Sequence, residues 1–299
     1  MDEPMFSTHS SHGPLGGRRR WLQWLAFVAL TLTFAVILKG AYTRLVDAGL
    51  GCPDWPGCYG FLTVPDESHE IALAEERYPH APVEVEKGWP EMIHRYMAGF
   101  LGLCIMGIAG LAWSLPSVSA PRRHSLVLLG LVIVQGLFGM WTVTLKLWPQ
   151  VVTAHLLGGF ATFTVLALLC LRLTVQPQIV APEVRALARR LSRWPALAAL
   201  VLLVQISLGG WVTSNYAALA CTDFPTCQGQ WWPAMDPVAG FDLAQDLGPN
   251  YLGGKMDNEA RVAIHMAHRL GALAVLLADM ARVLRLWTPP PSSGLGPRP

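Results

Sequence analysis

Two stretches of this chain repeat a pattern with chemical content. Cys52-Pro53-Asp54-Trp55-Pro56-Gly57-Cys58 and Cys221-Thr222-Asp223-Phe224-Pro225-Thr226-Cys227 both read Cys-x-Asp-aromatic-Pro-x-Cys. Each lies in a loop rich in Trp, Pro and Gly that leads to a histidine–arginine pair, in Glu91-Met92-Ile93-His94-Arg95 and His265-Met266-Ala267-His268-Arg269. A third histidine, His155, lies in another apolar stretch. Ionisable residues inside apolar spans are costly and mark function by default. Imidazoles on facing helices of a bundle suit axial ligation of haem iron. The competing reading is that each imidazole only hydrogen-bonds a neighbouring helix. Zinc is disfavoured, because no compact set of Cys, His and carboxylate ligands falls within the spans.

Glu91 precedes His94 by three residues, so the two share one helical face. A carboxyl there suits proton transfer beside a bound ligand. The alternative is a helix-start carboxylate interacting with the helix dipole. Arg95 and Arg269 could pair with haem propionates, or could extend toward water and headgroups. Glycines near the histidines (Gly99, Gly158, Gly159 and Gly271) would let a flat macrocycle or another helix come close.

The paired cysteines lie in loops assigned below to the oxidising side, where disulfides persist, so Cys52–Cys58 and Cys221–Cys227 are expected as disulfides. A metal site is the minority reading, since thiolate ligation favours Cys-x-x-Cys spacing. Cys104 and Cys170 fall inside spans and read as packing residues. Trp55, Trp89, Trp231 and Trp232 fit either an interfacial aromatic belt or a ligand contact. His9 and His12 read as solvated tail residues, and His69, His80 and His124 as loop residues with no special claim.

The elements that must position these residues are membrane helices. Of 299 residues, 53% are hydrophobic and 14% charged, against roughly 25% charged in soluble domains. The mean hydropathy is +0.38. The formal charge of +2 is too small to suggest nucleic acid. Runs of about 20 apolar residues cross the hydrocarbon core, and six are found: 21–38, 96–115, 125–145, 147–171, 194–213 and, weaker, 262–284. Arginines at 18–20, 122–123, 172, 185–193 and 282–285 sort to one side if the N-terminus is cytoplasmic. The loops 42–90 and 214–260 then face outward.

The cysteine motif recurs after 169 residues, and the odd spans share Gln135-Gly139-Trp141 and Gln205-Gly209-Trp211. The expected fold is an all-α integral membrane protein of tandem four-helix bundles. Its second bundle is incomplete, with the counterpart of His155 falling near position 325–330. The segments expected are a disordered cytoplasmic tail (1–20), a first bundle (21–172), a cytoplasmic linker (173–193), a partial second bundle (194–285) and a disordered tail (286–299).

Together the segments GAYTRLVDAGLGCPDWPGCYG, EMIHR, TAHLLGG, NYAALACTDFPTCQGQWWP and HMAHRLGAL closely resemble bacterial haem A synthase, over roughly residues 25–285. The resemblance implies an enzyme of the bacterial inner membrane with periplasmic Cys loops, oxidising the ring methyl of haem O to the formyl of haem A with oxygen from water. It assigns His94 and His155 to the substrate haem and Glu91 to the oxidation. It also assigns His268 to a haem b cofactor, whose second ligand belongs to span eight. Cys52, Cys58, Cys221 and Cys227 match the family's periplasmic cysteines. Haem O synthase and a membrane electron acceptor are the implied partners, and a homo-oligomer is compatible with it. A b-type electron carrier and a non-catalytic oxidase-assembly protein are the rival functions.

Overall fold

A computed structural model describes residues 14–116, 120–175, 181–182, 185 and 192–287. Most of the expected N-terminal tail, most of the linker and nearly all of the C-terminal tail lie outside the described residues. Among the described residues the named elements are α1 (Pro14–Leu45), α2 (Ser68–Arg77), α3 (Val85–Ser114), α4 (Arg122–Thr144), α5 (Pro149–Thr174), α6 (Arg193–Ser214), α7 (Pro237–Gly240) and α8 (Asn258–Trp287). Six of them, all but α2 and α7, are long and apolar enough to cross a membrane. The chain is a multi-pass membrane protein.

Two boundaries differ from the sequence expectation. Helix α1 starts at Pro14 rather than after residue 20, because proline's missing N–H costs nothing in a first turn. Helix α3 starts at Val85 and carries Pro90 inside it, so the first outer loop ends sooner than residue 90. The Thr43 hydroxyl of α1 donates to the Pro90 carbonyl at 3.1 Å, tying the two helices together beside the proline. The loop also holds α2, a ten-residue helix too short and polar for an apolar-run reading to find. His124, read as a loop residue, is in α4, and its Nε2 lies 2.9 Å from the Val165 carbonyl.

Contacts divide the chain into two units: 1–147 with 158–177, and 148–157 with 178–299. The division departs from the expected bundles at the start of α5, whose residues up to Leu157 group with the second unit. In the first unit α1 packs along α3 and α4 against α3. Its core interleaves Leu22, Ala26 and Ala29 with Leu101, Ile105, Ile108, Leu128, Leu166 and Leu169, and buries Cys104 and Cys170 as free thiols. Large apolar side chains on the outer faces, such as Trp24, Phe100 and Leu103, stay exposed, as lipid-facing residues do. At the far end from the Cys loop, Arg18 donates to Ser114 O (3.1 Å) and Arg122 to Leu115 O (2.9 Å). Those bonds satisfy the orphan carbonyls at the end of α3. In the second unit α6 packs along α8, with Trp211, Val212, Ala217 and Ile264 buried together.

Both expected disulfides are present, Cys52–Cys58 and Cys221–Cys227. The first anchors a packed lid over the start of α3, where Cys52, Cys58, Tyr59, Val64, Ala74 and Met92 form one buried cluster. Trp89 packs against this cluster, while Trp55, Trp231 and Trp232 remain exposed. Gly51 lies so close to the Lys87 carbonyl and the Gly88 nitrogen that a Cβ there would strike backbone. Gly51→Ala should therefore force the lid off α3. We expect a loss of about 1–3 kcal/mol, read as earlier thermal unfolding of the detergent-purified protein and faster proteolysis between residues 52 and 84.

Tyr59 donates its hydroxyl to the Pro82 carbonyl at 2.8 Å. Burial, then the Glu84, Glu91 and Asp54 charges, push its phenol up to about 12. A raised folded-state value means the contribution is intact below the unfolded value of about 10. It is lost as pH rises from there through about 12. An ultraviolet titration should show one tyrosine ionising well after the others, absent in Tyr59→Phe, with lid loosening in that same interval.

Candidate functional site

Each Cys motif builds the same small turn. Tyr59 and Gly60 have φ of 55° and 80°, and Gln228 and Gly229 have 54° and 74°. Two successive positive φ values are the primed-turn pattern, for which glycine suits the second position. The Asp54 carboxylate accepts from the amides of Tyr59 (2.6 Å) and Gly60 (2.8 Å). Asp223 does the same for Gln228 (2.7 Å) and Gly229 (3.0 Å). Held by the Thr226 hydroxyl first and then these amides, the Asp223 carboxyl falls to about 2. The motif is therefore longer than its cysteines, reaching the glycine two residues past the second one. That signal was present in the sequence.

The arginine after each histidine grips this turn. Arg95 donates to the carbonyls of Asp54 (2.9 Å), Pro56 (3.3 Å) and Gly57. Arg269 donates to those of Asp223 (2.8 Å), Thr226 (2.8 Å) and Cys221 (3.2 Å). A fork of N–H groups in fixed geometry is well matched to a cluster of carbonyls. Both arginines thus hold the carbonyls of their own lids.

The two units differ at the residue four before that arginine. In the first, Glu91 pairs with Arg95, and both side chains are almost fully buried. Its other oxygen accepts the Cys52 amide at 2.9 Å. Glu91 lies past the first turn of α3, so the lid and Arg95, rather than the helix's own terminal amides, hold it. In the second unit His265 takes this place, with Nδ1 2.9 Å from the Ala217 carbonyl.

Both histidines on these helices lie over a glycine of the partner helix. A Cβ on Gly40 would come 2.8 Å from His94 Cε1, and one on Gly209 would come 3.2 Å from His268 Cε1. Gly158 and Gly271, expected to admit a macrocycle or a helix, instead receive the amide side chains of Gln135 and Gln205. Gly99 has open space around it, and Gly159 meets Ile37 at 3.8 Å.

A family model described as cytochrome oxidase assembly protein matches residues 23–295. The chain belongs to this family. It is 48% identical over 266 residues to a protein of Shewanella oneidensis named heme A synthase, covering 89% of this chain and 79% of that one. A heme A synthase of Rhizorhabdus wittichii is 29% identical over 280 residues, 86% of this chain and 75% of that one. One of Brucella ovis is 23% identical over 289 residues, 92% and 77% respectively.

Within this family member the first unit brings Glu91, His94, Arg95 and the Cys52–Cys58 lid into one cluster. His265, His268, Arg269 and the Cys221–Cys227 lid form the second cluster. His155 is on α5 in the segment that groups with the second unit. The arginine grip, and the Gln205 contact with His268 described below, escaped sequence reasoning. Removing the grip should separate the two lids by charge. Arg95→Ala leaves Glu91 buried and unpaired and should cost about 2–4 kcal/mol. Arg269→Ala strands no acid and should cost less. Paired thermal melts of the two variants, with proteolysis of each lid, check the order.

Proposed function

We propose that this chain oxidises the ring methyl of haem O to a formyl group, forming haem A. The observation that carries the reading is the placement of Glu91. It stands one helical turn before His94, fixed between the Cys52 amide and the Arg95 guanidinium. Family membership and the relatives named heme A synthase support the same assignment.

The overall change, a methyl plus water giving a formyl, releases four electrons and four protons. Some group at the site must move protons without admitting bulk water. Glu91 suits that task, because its carboxylate is buried, oriented by two donors and adjacent to a candidate iron ligand. Arg95 offsets the negative charge and ties Glu91 to the lid, so the lid closes over the acid. We assign His94 and His155 to the iron of the substrate, following the resemblance of the EMIHR and TAHLLGG segments.

We assign His268 to a resident haem b. The second unit fits such a group: the imidazole lies across Gly209, and the neighbouring Gln205 Oε1 is buried without a partner among the described residues. Haem b, when bound, supplies one-electron transfer. The residues' part is to hold and orient: His268 binds, Gln205 contacts the ring, and Arg269 pins the lid above. We place the Cys loops on the periplasmic side of the inner membrane, where disulfides persist. Haem O synthase and a membrane electron acceptor are the partners this chemistry needs.

Glu91→Gln keeps the Cys52 contact but not the charge. It should retain bound haem while membranes accumulate haem O or a hydroxylated intermediate, read by pigment extraction and chromatography. Undiminished haem A output from that variant would remove Glu91 from the reaction. Extracts in which no variant or native chain makes haem A, with haem b alone bound, would favour an electron carrier.

A further inference from the structure

His268 has a side-chain amide partner. Gln205, on α6, sets its Nε2 3.0 Å from His268 Nδ1, 3.5 Å from the ring's other nitrogen and 3.1 Å from the His268 carbonyl. Nδ1 is the closer ring atom and the carbonyl takes the second amide hydrogen. The amide oxygen, Oε1, is buried against Gly271 with no hydrogen-bond partner among the described residues. The packing is reciprocal. Gln205 fills the space beside Gly271, one turn after His268 on α8, and the His268 ring fills the space beside Gly209, one turn after Gln205 on α6. Either glycine with a side chain would push the pair apart.

As placed, the amide donates to Nδ1, so the ring carries its proton on Nε2. A metal bound through Nε2 requires the opposite tautomer. Nδ1 then becomes a donor and needs an acceptor within reach. The only acceptor the amide can offer is the oxygen now left unsatisfied, and a buried amide oxygen without a donor is costly. Rotation of the amide would bring that oxygen to Nδ1–H and remove the deficit.

We propose that Gln205 is the positioning residue for His268, holding the imidazole across Gly209 and presenting Oε1 to Nδ1–H when Nε2 ligates haem iron. The inference rests on the reading of His268 as an iron ligand. Ring nitrogens opposite a metal are commonly fixed in this way, and the acceptor also raises ligand basicity. In the first unit the Gln135 amide fills the space beside Gly158, three residues after His155, as Gln205 does beside Gly271. The positions that the repeat equates with Gln205 and Gly271 themselves are Val36 and Met97.

The test uses the full chain in detergent, titrated with haemin and followed by Soret absorbance and by redox titration. His268→Ala defines the haem that depends on this residue. Gln205→Leu and the closer isostere Gln205→Met should weaken that haem by 10–100-fold, the usual range for losing such a partner, and raise its midpoint potential. Gln205→Glu restores an acceptor, so it should recover the affinity and lower the potential. Native affinity and potential in a folded Gln205→Met protein would overturn the role of Gln205. If His268→Ala loses no haem at all, the ligand assignment itself fails, whatever the Gln205 variants do.

Discussion

One interaction organises each end of this protein that bears a Cys loop: an arginine whose guanidinium collects the carbonyls of a disulfide-closed turn. A turn near a membrane boundary has few waters to satisfy its backbone, and unpaired carbonyls there are expensive. Arg95 and Arg269 meet that demand from within the helix, directly after a histidine. The consequence reaches beyond the loop. Because the arginine is covalently next to the histidine, the lid, the helix and the imidazole are fixed with respect to each other. Asp54 and Asp223 complete the arrangement from the other side, by holding the amides of the same turn.

The repeated scaffold carries different side chains at a few equivalent positions of the two units. Where the first has Glu91, buried against Arg95 and the Cys52 amide, the second has His265, turned to the Ala217 carbonyl. Where the second has Gln205 and Gly271, the first has Val36 and Met97. These few positions distinguish the units, on lids that share the aspartate-to-amide bonds and the arginine contacts with the aspartate and the residue before the second cysteine.

Much of this was legible in the chain. Apolar length identifies the six spans, since each must cover the hydrocarbon core. The paired cysteines were expected as disulfides, and the structure has both. Other features were hidden for physical reasons. Proline is read as a breaker, yet Pro90 sits inside α3 with the Thr43 hydroxyl on its carbonyl. The glycines near the histidines signalled close approach, but a missing side chain does not say what fills the space. Gln135 and Gln205 do.

The sequence by itself determined that the chain crosses the membrane repeatedly and that its Cys loops are a pair, each leading to a histidine–arginine step. Those properties follow from composition and period, which are local. The tertiary structure alone decided which groups face each histidine. It placed Gly40 and Gly209 under the rings, Glu91 between a lid amide and a guanidinium, and the Gln205 amide beside Nδ1. Apart from the Glu91–Arg95 pair, such contacts join residues dozens of positions apart. Their geometry depends on the packing of α1 on α3 and of α6 on α8, and no spacing along one strand of text encodes it.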